Sequence, residues 1–85
     1  MFRIEYSREA IKALMRMPRN TADRIKAKID GLAVDPYAPN NNVKRLQGSD
    51  DYRLRVGDWR VIYSLRDEQL VVEVVKVRPR GGAYE

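Results

Sequence analysis

Tyr52-Arg53-Leu54-Arg55-Val56-Gly57-Asp58-Trp59-Arg60-Val61-Ile62-Tyr63 is the stretch that decides the fold. Two alternating runs flank Gly57-Asp58, a pair suited to a two-residue hairpin with glycine at the first central position. Val56 then faces Trp59 and Arg55 faces Arg60. Side chains alternate strictly along a strand, so every later pairing and both faces follow from this turn. Asp67-Glu68 reads as a second two-residue turn with weaker chemistry, which would set Arg66 against Gln69.

On that register one sheet face carries Tyr52, Leu54, Val56, Trp59, Val61, Tyr63, Leu65, Leu70, Val72 and Val74. This is the expected core face, and an aromatic such as Trp59 on it is expected to pack rather than react. The other face carries Arg53, Arg55, Arg60, Ile62, Ser64, Arg66, Val71, Glu73 and Val75. Strands are therefore expected over residues 51–56, 59–66 and 69–77, with a short one over 43–46 ended by Gly48.

Upstream, Phe2, Ile4 and Tyr6 alternate with Arg3 and Glu5, a half-buried strand. Ser7 offers an N-cap, Glu9 suits the first helical turn, and Ala10, Ile11, Leu14 and Met15 fall at helical spacing. Pro18 interrupts this helix. A second begins near Arg19 or Asn20, with Asn20 as a possible cap, and its apolar stripe is Ala22, Ile25, Ile29, Leu32 and Ala33. Asp35-Pro36 ends it, and residues 37–42 form a loop by composition. The order predicts one α+β domain over residues 1–85: an antiparallel twisted sheet with an N-terminal strand and a two-helix hairpin on one face. The tail from Arg78 is too rich in glycine and proline for regular structure.

Composition narrows the chemistry. The 85 residues hold no cysteine and no histidine, which removes disulfides, thiolate metal sites and the commonest metal ligand and acid–base residue. No metal and no cofactor are expected. Residues 1–8 carry charge from Arg3 onward and no apolar run, so neither a signal peptide nor a membrane anchor is expected, and the expected location is the cytoplasm. Seventeen Lys and Arg against twelve Asp and Glu give +5, which favours a polyanionic partner only if the charge is concentrated.

The hairpin concentrates it. Arg55 and Arg60 are directly opposed, a destabilising like-charge pair, and Arg53 is two residues along the same face. Glu73, expected diagonal to Arg60, neutralises one charge at most. Arginine's planar fork suits phosphate oxygens. The tail adds Arg78 and Arg80, and Tyr84 is able to stack on a base or to anchor the tail on the sheet. The plain alternative is a solvated sheet face with scattered arginines.

In this order and spacing, the opening strand, the helix break at Met17-Pro18, the segment Lys44-Arg45-Leu46-Gln47-Gly48, the arginine hairpin, the valine-rich strand and the Arg/Tyr tail resemble the RelE family of toxins from type II toxin–antitoxin pairs. The resemblance implies a ribosome-dependent endoribonuclease that cuts mRNA in the A site: the 2′-hydroxyl attacks the adjacent phosphate, leaving a cyclic phosphate and a free 5′-hydroxyl. It carries catalytic roles onto Arg53, Arg55, Arg60, Arg80 and Tyr84, with Arg78 as an alternative match for the tail arginine. Arg78, Lys44, Arg45 and Lys76 are expected RNA contacts. It also implies a cognate antitoxin. Three positions depart from the pattern. Arginines stand at 53 and 55 where family members often have lysine, and Pro79 stands where many have a tail histidine. Arginine does not surrender its proton, so the face offers electrostatic stabilisation, and none of Asp50, Asp51, Asp58, Glu73 and Glu85 is assigned as general base.

Two other functions fit the same fold class. One is a ParE-like inhibitor of DNA gyrase, which has no need of the arginine cluster. The other is a non-catalytic RNA- or DNA-binding module.

Overall fold

The computed structural model describes residues 1–80. The chain runs β1 (Arg3–Tyr6), α1 (Arg8–Arg16), α2 (Arg19–Val34), β2 (Val43–Arg45), β3 (Tyr52–Val56), β4 (Trp59–Arg66), a single 3₁₀ turn (Asp67–Gln69) and β5 (Val71–Pro79). The five strands form one sheet in the order β1-β5-β4-β3-β2. The α+β expectation holds, with one refinement: β1 runs parallel to β5, while all other pairs are antiparallel.

The first hairpin is as the alternation requires. Tyr52, Arg53, Leu54, Arg55 and Val56 face Tyr63, Ile62, Val61, Arg60 and Trp59. Gly57 has a φ of 58° and Asp58 has no positive φ, so glycine supplies the left-handed residue at the first turn position. A Cβ at residue 57 would overlap the Arg24 guanidinium, the mobile end of a long side chain, so conformation more than space calls for glycine here.

The second turn departs from expectation. Without glycine, the chain from Arg66 does not reverse in two residues. It makes the 3₁₀ turn and places Leu70 in the left-handed region (φ 54°, ψ 52°), so that Arg66 faces Val71 rather than Gln69. Leu70, expected in the core, is 51% exposed. The register moves by an even number of residues, so Val72 and Val74 remain on the core side, facing Leu65 and Tyr63.

A bulge then breaks that parity. Tyr63 faces Val74 but Ile62 faces Lys76, leaving Val75 as the extra residue. Beyond it Val77 turns into the core and Lys76 and Arg78 turn to the opposite face. Ser7 secures the bulge. Its hydroxyl donates to the Val75 carbonyl at 2.6 Å and accepts from the Ala10 N–H at 3.0 Å, capping α1 as expected.

The core lies between the sheet and the helices. α2 buries Ala22, Ile25, Ile29, Leu32 and Ala33, the predicted stripe. They meet Leu54, Val56, Val61, Tyr63, Val72, Val74 and Val77, with Tyr52 and Trp59 packed at the margin. α1 contributes less than its periodicity implied. Ala10 is buried, but Ile11 and Met15 are 45% and 79% exposed, because the inward side runs through Ala10, Ala13, Leu14 and Met17. Pro18 occupies the N-cap of α2, and Asn20, expected to cap it, accepts instead from the adjacent Thr21 N–H. No helix among the described residues is long and apolar enough to cross a membrane.

Candidate nucleic-acid interface

The sheet face away from the helices divides into two zones. At the first-hairpin end, two cross-strand rows carry the charge. Lys44 faces Arg53, which faces Ile62, which faces Lys76. In the next row Arg55 faces Arg60, which faces Arg78. Neighbouring strands lie about 4.8 Å apart, so six cations share a patch four strands wide. At the other end Arg3 pairs with Glu5 at 3.3 Å, and Arg66 donates to Glu73 at 2.8 Å. That end is locally balanced. The hairpin end is cationic.

Four of the six cations, Lys44, Arg53, Arg55 and Lys76, make no ion pair with a described residue. Arg78 reaches Glu9 at 3.9 Å, too long for a strong pair. The Arg53 Nε is buried without a hydrogen-bond partner, a costly arrangement for a guanidinium donor. Ile62 lies amid this charge yet is 9% exposed. Arg53 and Lys76 flank it in register, and their aliphatic stems are long enough to cover it.

Glu73 does not play the part expected of it. It lies opposite Ser64 rather than diagonal to Arg60, and it accepts from Ser64 and Arg66. The Arg66 hydrogen bond holds its carboxyl below the usual range, so it is a weaker base than an ordinary glutamate. The cause of the misplacement is the register: the longer turn and the bulge move Arg78, not Val75, opposite Arg60.

Of the residues named from sequence, the structure gathers Lys44, Arg53, Arg55, Arg60, Lys76 and Arg78 on one face. Arg45 is not among them. It faces Tyr52, on the helix side, and bonds Asp50 at 2.9 Å. Arg80 lies one step past β5 at the hairpin tip, where its N–H donates to the Asp58 carbonyl at 2.5 Å and its guanidinium is 3.8 Å from the Asp58 carboxylate. Tyr84 and Glu85 lie outside the described residues. Tyr52 and Tyr63 stack with centroids 5.5 Å apart on the core side. Burial pushes the Tyr63 hydroxyl up, and this phenol faces away from the cations.

Such a face can hold a polyanion and stabilise added charge on a phosphate. Guanidiniums on adjoining strands of one face offer donor forks to a phosphate without needing to exchange protons.

The family model for the ParE toxin of type II toxin–antitoxin systems matches residues 4–84. A protein of Methanocaldococcus jannaschii that carries the name RelE1 is 31% identical over 99% of this chain and 96% of its own length. The toxin in the archaeal RelE–RelB complex from Pyrococcus horikoshii superposes with a TM-score of 0.82 at 34% identity, covering 96% of this chain and 98% of that one. A chain of the intact Escherichia coli RelBE toxin–antitoxin complex gives 0.80 at 22% identity over all of both chains, a likeness of fold.

Proposed function

The chain belongs to the RelE/ParE family of type II toxins, and from that premise we propose that it is a ribosome-dependent endoribonuclease that cuts mRNA in the A site. The observation that carries this reading is the Arg55–Arg60–Arg78 row, flanked by Lys44, Arg53 and Lys76. The reaction is attack of an mRNA 2′-hydroxyl on its own 3′-phosphate. The 2′-oxygen loses its proton, the bond to the 5′-oxygen breaks, and that oxygen leaves protonated as the 5′-hydroxyl. Charge accumulates on the phosphate oxygens midway. Arg60, with Arg55 on one side and Arg78 on the other, is placed to meet that charge. The protein's contribution is electrostatic, and it requires neither a metal nor another cofactor.

The same reading assigns a cognate antitoxin, since both structural relatives above were solved as complexes with one. An acidic segment would neutralise the cationic face, and the site of action is the cytoplasm.

A second reading has one observation in its favour: the matching family model is named for ParE. A ParE-like chain would inhibit DNA gyrase. Brief induction separates the two. The nuclease reading expects translation to fail first, with new mRNA 5′ ends at codon positions. Early loss of supercoiling with intact mRNA would replace it with the gyrase reading. On programmed ribosomes at saturating toxin, Arg60→Ala should slow single-turnover cleavage about 10²–10³-fold. Arg60→Lys should recover only part of that, because a point charge lacks the fork. Cleavage by Arg60→Ala at the wild-type rate would reduce the residue to a binding contact.

A further inference from the structure

The cationic face has an extension on the helix layer. A groove between α1 and the end of β5 is lined by Arg8, Glu9, Lys12, Ala13, Arg16 and Val77. Arg8, Lys12 and Arg16 are exposed and make no ion pair with a described residue. They recur every fourth residue, so they stand in a row with a step of about 6 Å along the helix. The one acid in the groove, Glu9, is directed toward Arg78. That contact also joins the groove to the Arg55–Arg60–Arg78 row. β1 ends opposite Val74, so nothing in the sheet separates the last residues of β5 from α1.

We propose that this groove holds the sugar–phosphate backbone of single-stranded RNA flanking the segment on the sheet, with Arg8, Lys12 and Arg16 on successive phosphates. The inference rests on the nuclease reading and adds a path for the RNA. A strand lying on Arg60 and Arg78 meets the α1 row next. The step between cations is similar to that between phosphates in an extended strand. The floor offers only Ala13 and Val77, too little apolar surface to anchor a peptide by its side chains, which favours a backbone polyanion over an acidic protein segment.

The test uses the full chain and labelled 2′-O-methyl RNA, which cannot be cleaved, in lengths of about four and about ten nucleotides, a span typical of single-strand sites. Wild type should bind the longer oligonucleotide more tightly. Arg8→Ala/Lys12→Ala/Arg16→Ala should abolish that gain while leaving affinity for the shorter one unchanged. The slope of log K against log salt for the longer RNA should become shallower by about two, from about 0.7 per phosphate contact. Arg8→Lys/Arg16→Lys should keep the steep slope, because charge is conserved.

If wild type binds the short RNA but gains nothing with length, the groove inference is overturned and the nuclease reading stands. If neither RNA binds, the groove inference falls, and the nuclease reading, which is ribosome-dependent, is decided by cleavage on programmed ribosomes. Loss of slope in the lysine variant would show a structural role for α1 and overturn the proposal. So would a triple variant that binds RNA normally but loses its antitoxin, which would assign the groove to the protein partner.

Discussion

Replacing Ser7 by alanine should cost more than the same change at Ser49 or Ser64, and should disturb the cationic face from a distance. The hydroxyl accepts from the Ala10 N–H and donates to the Val75 carbonyl at 2.6 Å. Losing an N-cap costs about 1 kcal/mol. Leaving the half-buried Val75 carbonyl without a partner adds about 1–3 kcal/mol. The total, about 2–4 kcal/mol, is a large part of the roughly 4–13 kcal/mol expected for a domain of this length. At about 4–8 °C per kcal/mol, the melting temperature should fall by at least about 8 °C. Ser7→Gly separates the two contributions, because glycine at an N-cap costs only a few tenths of a kcal/mol. Its remaining loss measures the bond to the bulge. Thermal and urea unfolding, followed by circular dichroism, supply both numbers. A Ser7→Ala protein melting within about 4 °C of wild type would refute the reasoning, since neither contact would then matter. A loosened bulge should also weaken RNA binding, through Lys76 and Arg78, under conditions where the variant is still folded.

Gly31 lies inside α2, where an added methyl group would meet nothing within 4 Å, so Gly31→Ala should stabilise by about 0.5–1 kcal/mol, seen as a later urea midpoint. Gly48 and Gly57 both have positive φ, but only at 57 would a Cβ meet a neighbour, the Arg24 guanidinium. Gly48→Ala should therefore cost about 1–2 kcal/mol and Gly57→Ala measurably more, and equal losses would show that the Arg24 contact yields freely. The Glu73 carboxyl is held low by Arg66, so its folded value lies below its unfolded one. Its stabilisation should be full above about pH 5 and drain as pH falls through the carboxylate range, and Glu73→Gln should flatten that part of the acid-unfolding curve.

Legibility in the sequence varied with the local chemistry. The first hairpin was fully readable, because a two-residue turn with glycine first admits one register, and all five pairs from Tyr52 to Val56 follow from it. The α2 stripe was readable for the same reason: sixteen residues sample the helical period several times. In α1, nine residues are too few to choose between adjacent stripes, and Ile11 and Met15 fell on the outer one. The turn after Arg66 carries no glycine, and the longer reversal with Leu70 left-handed had no composition signal. The bulge did leave one. Val74 and Val77 are both apolar at an odd spacing, so a single alternation cannot bury both. Taking that phase break seriously would have turned Lys76 and Arg78 onto the cationic face, although setting them opposite Ile62 and Arg60 needed the longer turn as well. Arg45 leaves the cluster for a separate reason, the alternation of β2, which puts it on the face opposite Lys44. Strand direction, by contrast, leaves no trace in alternation, and the parallel pairing of β1 was invisible for that reason.

That parallel pairing bears on when the protein can become harmful to the cell that makes it. Among the described residues β1 is the first strand in the sequence and pairs only with the fifth, with Arg3 against Val71 and Tyr6 against Val74. β5 also lies between β1 and β4 and supplies Val72, Val74 and Val77 to the interior. A nascent chain lacking β5 thus has an orphaned first strand, an open core and no third cation in the arginine row. Contacts of such long sequence separation form late, and a domain folds as a unit once its residues are all present. Competence is thereby tied to the synthesis of β5. Until β5 has been made, a growing chain lacks both the closed core and the complete cationic face.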